Sequence, residues 1–323
     1  MTDTLIQAYL PLLLWTGLGV LSFRWLPESL PRWLGRALYW VGVPIQIFTL
    51  ARGINTSEQV GLVPYFAGMS VLLGLGLASV AWAIAQWVAT RAAPPAEAAK
   101  PEDDPLWTNA RKGSFVLASM LGNTGFVGLA IAPNFVDESY LGWLVLYSVT
   151  QNVVGTYGIG VFVSSYFGRS QQTHWLGTLR DMLTVPSLWA FTLGFSTRHV
   201  GLPSIVESGL HSALWIVIPC ALLLMGIRLR QLQGWQSLKR AIIPVLIKVV
   251  TLPLIIGTVA VCIDLPPNPK LAMVLMAGMP TAFAGLILAE EYELDRDLIA
   301  SSIVLTTIAI FITLPIWLLL FQR

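Results

Sequence analysis

Apolar stretches long enough to cross a bilayer recur from one end of this chain to the other, and nothing else in it constrains the fold as strongly. Hydropathy marks ten of them, at 5–23, 34–51, 63–90, 113–136, 139–167, 182–197, 205–228, 241–263, 271–291 and 298–321, each closed by charged or proline-rich turns. A spanning helix needs about 20 apolar residues, whereas a spanning strand needs about 10 with strict alternation. These stretches do not alternate, so helices are expected and a barrel is not. Of the 323 residues only 11% are charged and 55% are hydrophobic, against about 25% charged in a water-soluble domain. A chain of this kind cannot cover its own surface in water. It belongs in a bilayer, and ten spans leave no room for a sizeable soluble domain.

The charges that remain test the span count. When loops are assigned alternately to two faces, one face receives Arg24, Arg32, Arg36, Arg91, Lys100, Arg111, Lys112, Arg169, Arg180, Arg228, Arg230, Lys239, Arg240 and Arg296. The other receives Arg52, Arg198, Lys270 and Arg323. The positive-inside rule puts the crowded face in the cytoplasm and both termini outside, in a multi-pass protein of the cell membrane. Asp3 stands where a signal peptide would carry positive charge, so the first apolar stretch is expected to be retained as a span. The net charge of +2, scattered over loops, gives no reason to expect a nucleic-acid partner. Cys220 and Cys262 lie inside apolar runs, which argues against a disulfide framework or a zinc site. Residues 91–107, RAAPPAEAAKPEDDPLW, read as a flexible cytoplasmic linker. Trp25, Trp33, Trp87, Trp107, Trp143, Trp175 and Trp235 read as interfacial anchors at span ends or in short loops.

The most specific signal is an internal repeat. Residues 123–129 read NTGFVGL and residues 280–286 read PTAFAGL, with Thr124 and Thr281 matched at an offset of 157 that also pairs Ala132 with Ala289 and Thr150 with Thr307. The second and seventh spans each place a proline, Pro44 and Pro219, after an aromatic-rich approach. Two five-helix halves are therefore expected within one transporter domain, 1–167 and 179–323. Five is odd, so the second half enters the membrane from the opposite side and the repeat is inverted, as in many secondary transporters. The fourth and ninth spans carry helix breakers at mid-depth: Gly122, Asn123, Thr124 and Gly125 in one, Gly278, Met279 and Pro280 in the other. Irregular backbone at that depth persists only where protein buries it or a wet cavity lies beside it.

These residues resemble the auxin efflux carrier family, whose bacterial members and plant PIN-FORMED relatives share a ten-helix inverted repeat. The resemblance rests on LGNTGFVGLAI in the fourth span and on GMPTAFAGLILAEEYELDRDLIASSIVLTT in the ninth and tenth, with support from Pro44, Pro219 and the IKVVTLPL around Lys248. It implies helices four and nine unwound where they cross, with an organic acid bound there. It also implies polar side chains from the fifth helix, matched by Gln151 and Asn152. The plant carriers further hold an Asp and a Lys in the third helix, and this third span has neither.

The site chemistry points the same way. An interrupted helix exposes a new N-terminus inside the membrane, with unpaired N–H groups and the positive end of the helix dipole, and such ends favour anions. One is expected after Thr124 and one starting at Pro280, with Asn123, Thr124, Gly125, Pro280 and Thr281 contributing to the substrate site. Lys248 is the one basic residue well inside a span, where it would attract an anion or stand in for a coupling cation. Gln151 and Asn152 are adjacent, so at most one of them faces the cavity. Glu290 and Glu291 stand at the cytoplasmic end of the ninth span, and no Asp or Glu occupies the middle of any span. That weakens cation exchange and favours an anion carrier working by alternating access, with no metal or cofactor expected. Its expected partners are a small organic anion and the bilayer, with homodimerisation left open. The rivals are a sodium-coupled symporter resembling the bile acid carriers and a non-transporting receptor or scaffold. An enzyme is not expected, since His174 and His199 fall in loops and His211 only at the end of a span.

Overall fold

The computed structural model describes residues 2–27, 29–53, 61–92, 108–168, 183–184, 186–230 and 235–322. Among the described residues every regular element is helical, and the only strand-like feature is an isolated antiparallel bridge between Gly122 and Thr281. Twelve helical segments can be followed. They are α1 (Thr2–Ser22), α2 (Leu30–Arg52), α3 (Val63–Ala92), α4 (Asn109–Met120), α5 (124–134), α6 (141–167), α7 (Pro186–Ser196), α8 (Ser204–Arg230), α9 (235–262), α10 (Pro267–Ala277), α11 (Phe283–Glu291) and α12 (Arg296–Phe321). Among the described residues five unbroken stretches, within α2, α3, α8, α9 and α12, are long and apolar enough to cross a membrane by themselves. The expected fourth and ninth spans are each split in two, α4 with α5 and α10 with α11. Most of the expected linker 91–107, with Trp107 and Trp175, lies outside the described residues.

Prolines set the irregularities inside the longer helices. Proline has no N–H to continue the ladder, and its ring crowds the preceding carbonyl, so the turn before it widens. Leu38–Gly42 forms such a π turn ahead of Pro44, and Ile247–Thr251 forms another ahead of Pro253. In α6 the glycine-rich Gln151–Gly160 is wound as π helix throughout. Helix ends are capped where the sequence offers a short polar group: Thr108 accepts from Arg111 N, and Asp295 accepts from Leu298 N at 3.0 Å. Asp295 also holds Arg111 Nε at 3.0 Å, so the start of α12 is tied to the start of α4.

The helices sort into two groups. α1 packs along α8 and α7 along α2, with α2 against α8; α3, α4, α6, α9, α10 and α12 pack around one another and around the two breaks. Between membrane helices lipid removes the hydrophobic incentive to associate, so close approach of small residues matters most. Gly19 and Gly226 meet at the α1–α8 contact, where a methyl on either would overlap the partner helix's backbone. On the perimeter large apolar side chains stand exposed, among them Leu72, Val80 and Ile84 of α3 and Ile308, Ile312 and Leu319 of α12. An apolar rim of this extent is stable in lipid and would not be in water. Trp25, Trp33 and Trp87 are exposed as anchors would be, but Trp143 is only 4% exposed. It packs in the core beside Tyr140, so its place near a span end does not report an interface.

Candidate functional site

The two breaks lie against each other. Leu121–Asn123 and Pro280–Ala282 run extended and antiparallel: Asn123 N donates to Pro280 O at 2.7 Å, and Ala282 N donates to Leu121 O at 3.0 Å. Each segment thus satisfies backbone groups that its own helix has released, which at this depth water would not do. Thr281 secures the crossing twice. Its N–H donates to Thr306 Oγ1 at 3.0 Å, and its hydroxyl donates to Ala118 O at 2.9 Å.

The first new helix starts at Thr124, one residue ahead of the expected start. Asn123 caps it, its Oδ1 accepting from Phe126 N at 3.2 Å and Val127 N at 3.4 Å. The second new helix starts at Phe283, with Ala282 as its cap residue, and not at Pro280. The reason is the pairing itself: the Pro280 carbonyl and the Ala282 N–H are both engaged across the crossing, which holds 280–282 extended.

Beside the crossing lies a cavity of ≈ 20 Å³, room for about one water. Asn123 and Gly125 line it from the first break, Ala282, Phe283 and Ala284 from the second, and Asn152, Ser148 and Gln46 from the neighbouring helices. Its polar groups are part-engaged. Gln46 Nε2 donates to Gly125 O at 3.0 Å, and Asn152 Nδ2 donates to Ser148 O at 2.8 Å. Among the described residues Asn123 Nδ2 donates to nothing, so it remains available to a ligand. Among the described residues the cavity wall holds no carboxylate and no basic side chain. Its donors are amides, the hydroxyls of Ser148 and Tyr157 and the opening turns of two helices, a set suited to an uncharged or anionic oxygen.

Gln151 and Asn152 divide as adjacent helical residues must. Asn152 faces the cavity, while Gln151 lies behind the crossing, donating to Met120 O at 3.2 Å and accepting from Ser70 Oγ at 3.0 Å, which in turn accepts from Tyr147 at 2.9 Å. Thr124, Pro280 and Thr281 belong to the crossing but not to the cavity wall, and the Thr124 hydroxyl is buried without a partner among the described residues. Lys248 is fully buried on the π turn of α9, its Nζ donating to Ala277 O at 2.8 Å. A methyl at Gly122 would come within 2.9 Å of that nitrogen, so a larger residue there would make the lysine shift. The ammonium therefore sits at the negative end of a broken helix, behind the crossing and not in the cavity. Gln46 and Ser148 are the site residues the sequence did not single out. A lone polar residue in an apolar span carries no signal of its own.

Helices with a lipid-facing apolar rim, folded around a small cavity that holds a few polar groups where two of them break, define a membrane protein of the transporter class. The profile of the membrane transport protein family, that of the auxin efflux carriers, matches residues 107–318, about two thirds of the sequence, and the chain belongs to that family. It is similar to an uncharacterized transporter of Methanocaldococcus jannaschii, 27% identical over 212 residues covering 64% of this chain and 67% of the relative. It is also similar to an uncharacterized transporter of Methanothermobacter thermautotrophicus, 25% identical over 206 residues covering 64% and 66%. The chain spans about two thirds of the length of these curated relatives.

Proposed function

We propose that this chain is a secondary carrier that exports or exchanges a small organic anion across the cell membrane by alternating access. In this reading it crosses the bilayer ten times as two inverted five-helix repeats, with both termini outside. The group α3, α4, α6, α9, α10 and α12 moves against α1, α2, α7 and α8, carrying the crossing with it. The observation that carries the proposal is the pair of breaks beside a cavity lined by Asn123, Gly125, Asn152 and Gln46, with two helix N-termini and, among the described residues, no carboxylate. A positive helix end in a low-dielectric cavity favours a carboxylate over a cation.

Lys248 supports transport without sodium. Its ammonium bonds a carbonyl at the end of α10, where a sodium-coupled relative would use a bound cation to hold freed carbonyls. For an anion, an inside-negative potential contributes about 2.3 kcal/mol per charge per 100 mV toward export, so no coupling ion is required. The test is counterflow in liposomes with a panel of monocarboxylates, with and without sodium. Saturable, sodium-independent counterflow is expected. Saturable binding with no counterflow would instead make the protein a receptor, and sodium-dependent uptake would make it a symporter.

A further inference from the structure

A second, larger cavity of ≈ 270 Å³ opens on the arginine-rich face of the molecule. Arg32 and Arg36 of α2, Arg228 of α8 and Arg296 at the start of α12 line it, together with Glu290 and Glu291 of α11. These six residues are scattered through the sequence, and only the fold assembles them. Phe283 lines this cavity and the crossing cavity alike, so one ring forms a wall of both.

Four guanidinium groups around one cavity repel one another unless anions intervene. Arg32 and Arg36 are one turn apart and share a helix face. Among the described residues neither they nor Arg296 has a carboxylate within ion-pairing distance. Arg228 does: its Nη2 lies 2.6 Å from Glu290 Oε1, a close pair with both side chains mostly buried. That contact joins α8 of the first helix group to α11, which packs on α12, α4 and α6 of the second. A carboxylate on the protein itself thus holds the geometry that a ligand carboxylate would take, since guanidinium forks match carboxylates in pairs.

We propose that this cavity is a second anion site, a vestibule that binds small dicarboxylates through Arg32, Arg36 and Arg296 and in which the ligand competes with Glu290 for Arg228. Two positive charges in excess of the two glutamates favour a dianion over a monoanion. Displacing Glu290 releases one tie between the two helix groups, so occupancy of the vestibule loosens the face through which the crossing cavity would open. The vestibule's part in the transport route rests on the anion-carrier reading; the existence of the site does not.

The test is titration calorimetry on the full chain in detergent at fixed ionic strength, with malonate as the dianion, acetate as the monoanion and a short-chain phosphatidylglycerol as the lipid headgroup. Malonate is expected to bind about tenfold or more tightly than acetate, as two charge-assisted contacts against one imply. The double variant Arg32→Gln, Arg36→Gln is expected to weaken malonate by about tenfold or more. Both residues are exposed, so the fold does not depend on them. Glu290→Gln is expected to tighten malonate, because Arg228 is released. Absence of malonate binding, wild-type affinity in the arginine variant, or saturation by phosphatidylglycerol that malonate cannot displace would each overturn the vestibule. Such a failure alongside intact monocarboxylate counterflow sinks the vestibule alone. Malonate binding without counterflow of any acid sinks the carrier reading and leaves the vestibule standing.

Discussion

A lysine with no exposed surface is the least expected residue in this molecule. Removing one charge from water costs several kcal/mol even after relaxation, and a single carbonyl offsets only part of it. Lys248 has such a carbonyl, at the end of α10. Its substitution therefore separates stability from function. Lys248→Met keeps the length and removes the charge, so thermal unfolding in detergent should show stability unchanged or higher, while counterflow falls by at least about tenfold. A variant that unfolds in proportion to its lost transport would make Lys248 a structural strut only. Thr124 gives a second separation. Its hydroxyl is buried and unpartnered, so Thr124→Val should stabilise the protein by up to about 1–2 kcal/mol, and lost counterflow in that more stable variant would assign the hydroxyl to substrate. Thr281 behaves differently, since Thr281→Val leaves the Ala118 carbonyl buried and unpaired. A loss of about 1–3 kcal/mol is expected, visible as a lower unfolding temperature. Transport lost in Thr281→Val is thus weaker evidence for substrate contact than transport lost in Asn123→Ala, whose removed cap costs only about 1 kcal/mol.

Between elements, small residues decide which contacts form. Gly19→Leu or Gly226→Leu should separate α1 from α8 and lower stability by about 1–3 kcal/mol or more, whereas Gly17→Leu, with nothing near the added group, should be tolerated. Thermal unfolding followed by size-exclusion chromatography checks the contrast, and equal behaviour of the three variants would refute the packing. Such elements were largely legible in advance. Hydropathy located α2, α3, α8, α9 and α12 to within a few residues, because each is a continuous apolar run. The first break was legible because Gly122, Asn123, Thr124 and Gly125 are helix breakers at mid-depth in an otherwise apolar span. The second was misplaced by three residues, because what holds 280–282 extended is pairing with Leu121 and Asn123, which no local pattern encodes. That Asn152 and not Gln151 reaches the cavity was not legible, because adjacency says that at most one of the two faces it and not which. The arginine vestibule was illegible for the same kind of reason: residues 32, 36, 228 and 296 meet only once the helices have packed.

Across the whole molecule, the arrangement of charge predicts how transport responds to voltage. A carrier whose cavity binds a monoanion without a compensating cation moves net charge in each cycle. Among the described residues the cavity wall holds no carboxylate and no basic side chain, its titratable group being the phenol of Tyr157, and Lys248 lies behind it, so the charge that moves is the anion's own. At equilibrium a potential of 100 mV, inside negative, should then hold the anion about 50-fold more concentrated outside, from about 2.3 kcal/mol per charge at 1.36 kcal/mol per decade. Liposomes loaded with a transported monocarboxylate and clamped by a potassium gradient with valinomycin measure this ratio directly. Exchange of one anion for another would be blind to the potential, and proton-coupled movement would follow the pH gradient instead. Phe283 supplies the control for leak. As a wall shared by the two cavities, its replacement by Ala should join them and raise passive flux, with no change in the equilibrium ratio for anion that still passes through the crossing. A wild-type ratio that stays at unity under the clamp, in vesicles that show counterflow, would eliminate uniport and leave obligatory exchange as the mechanism.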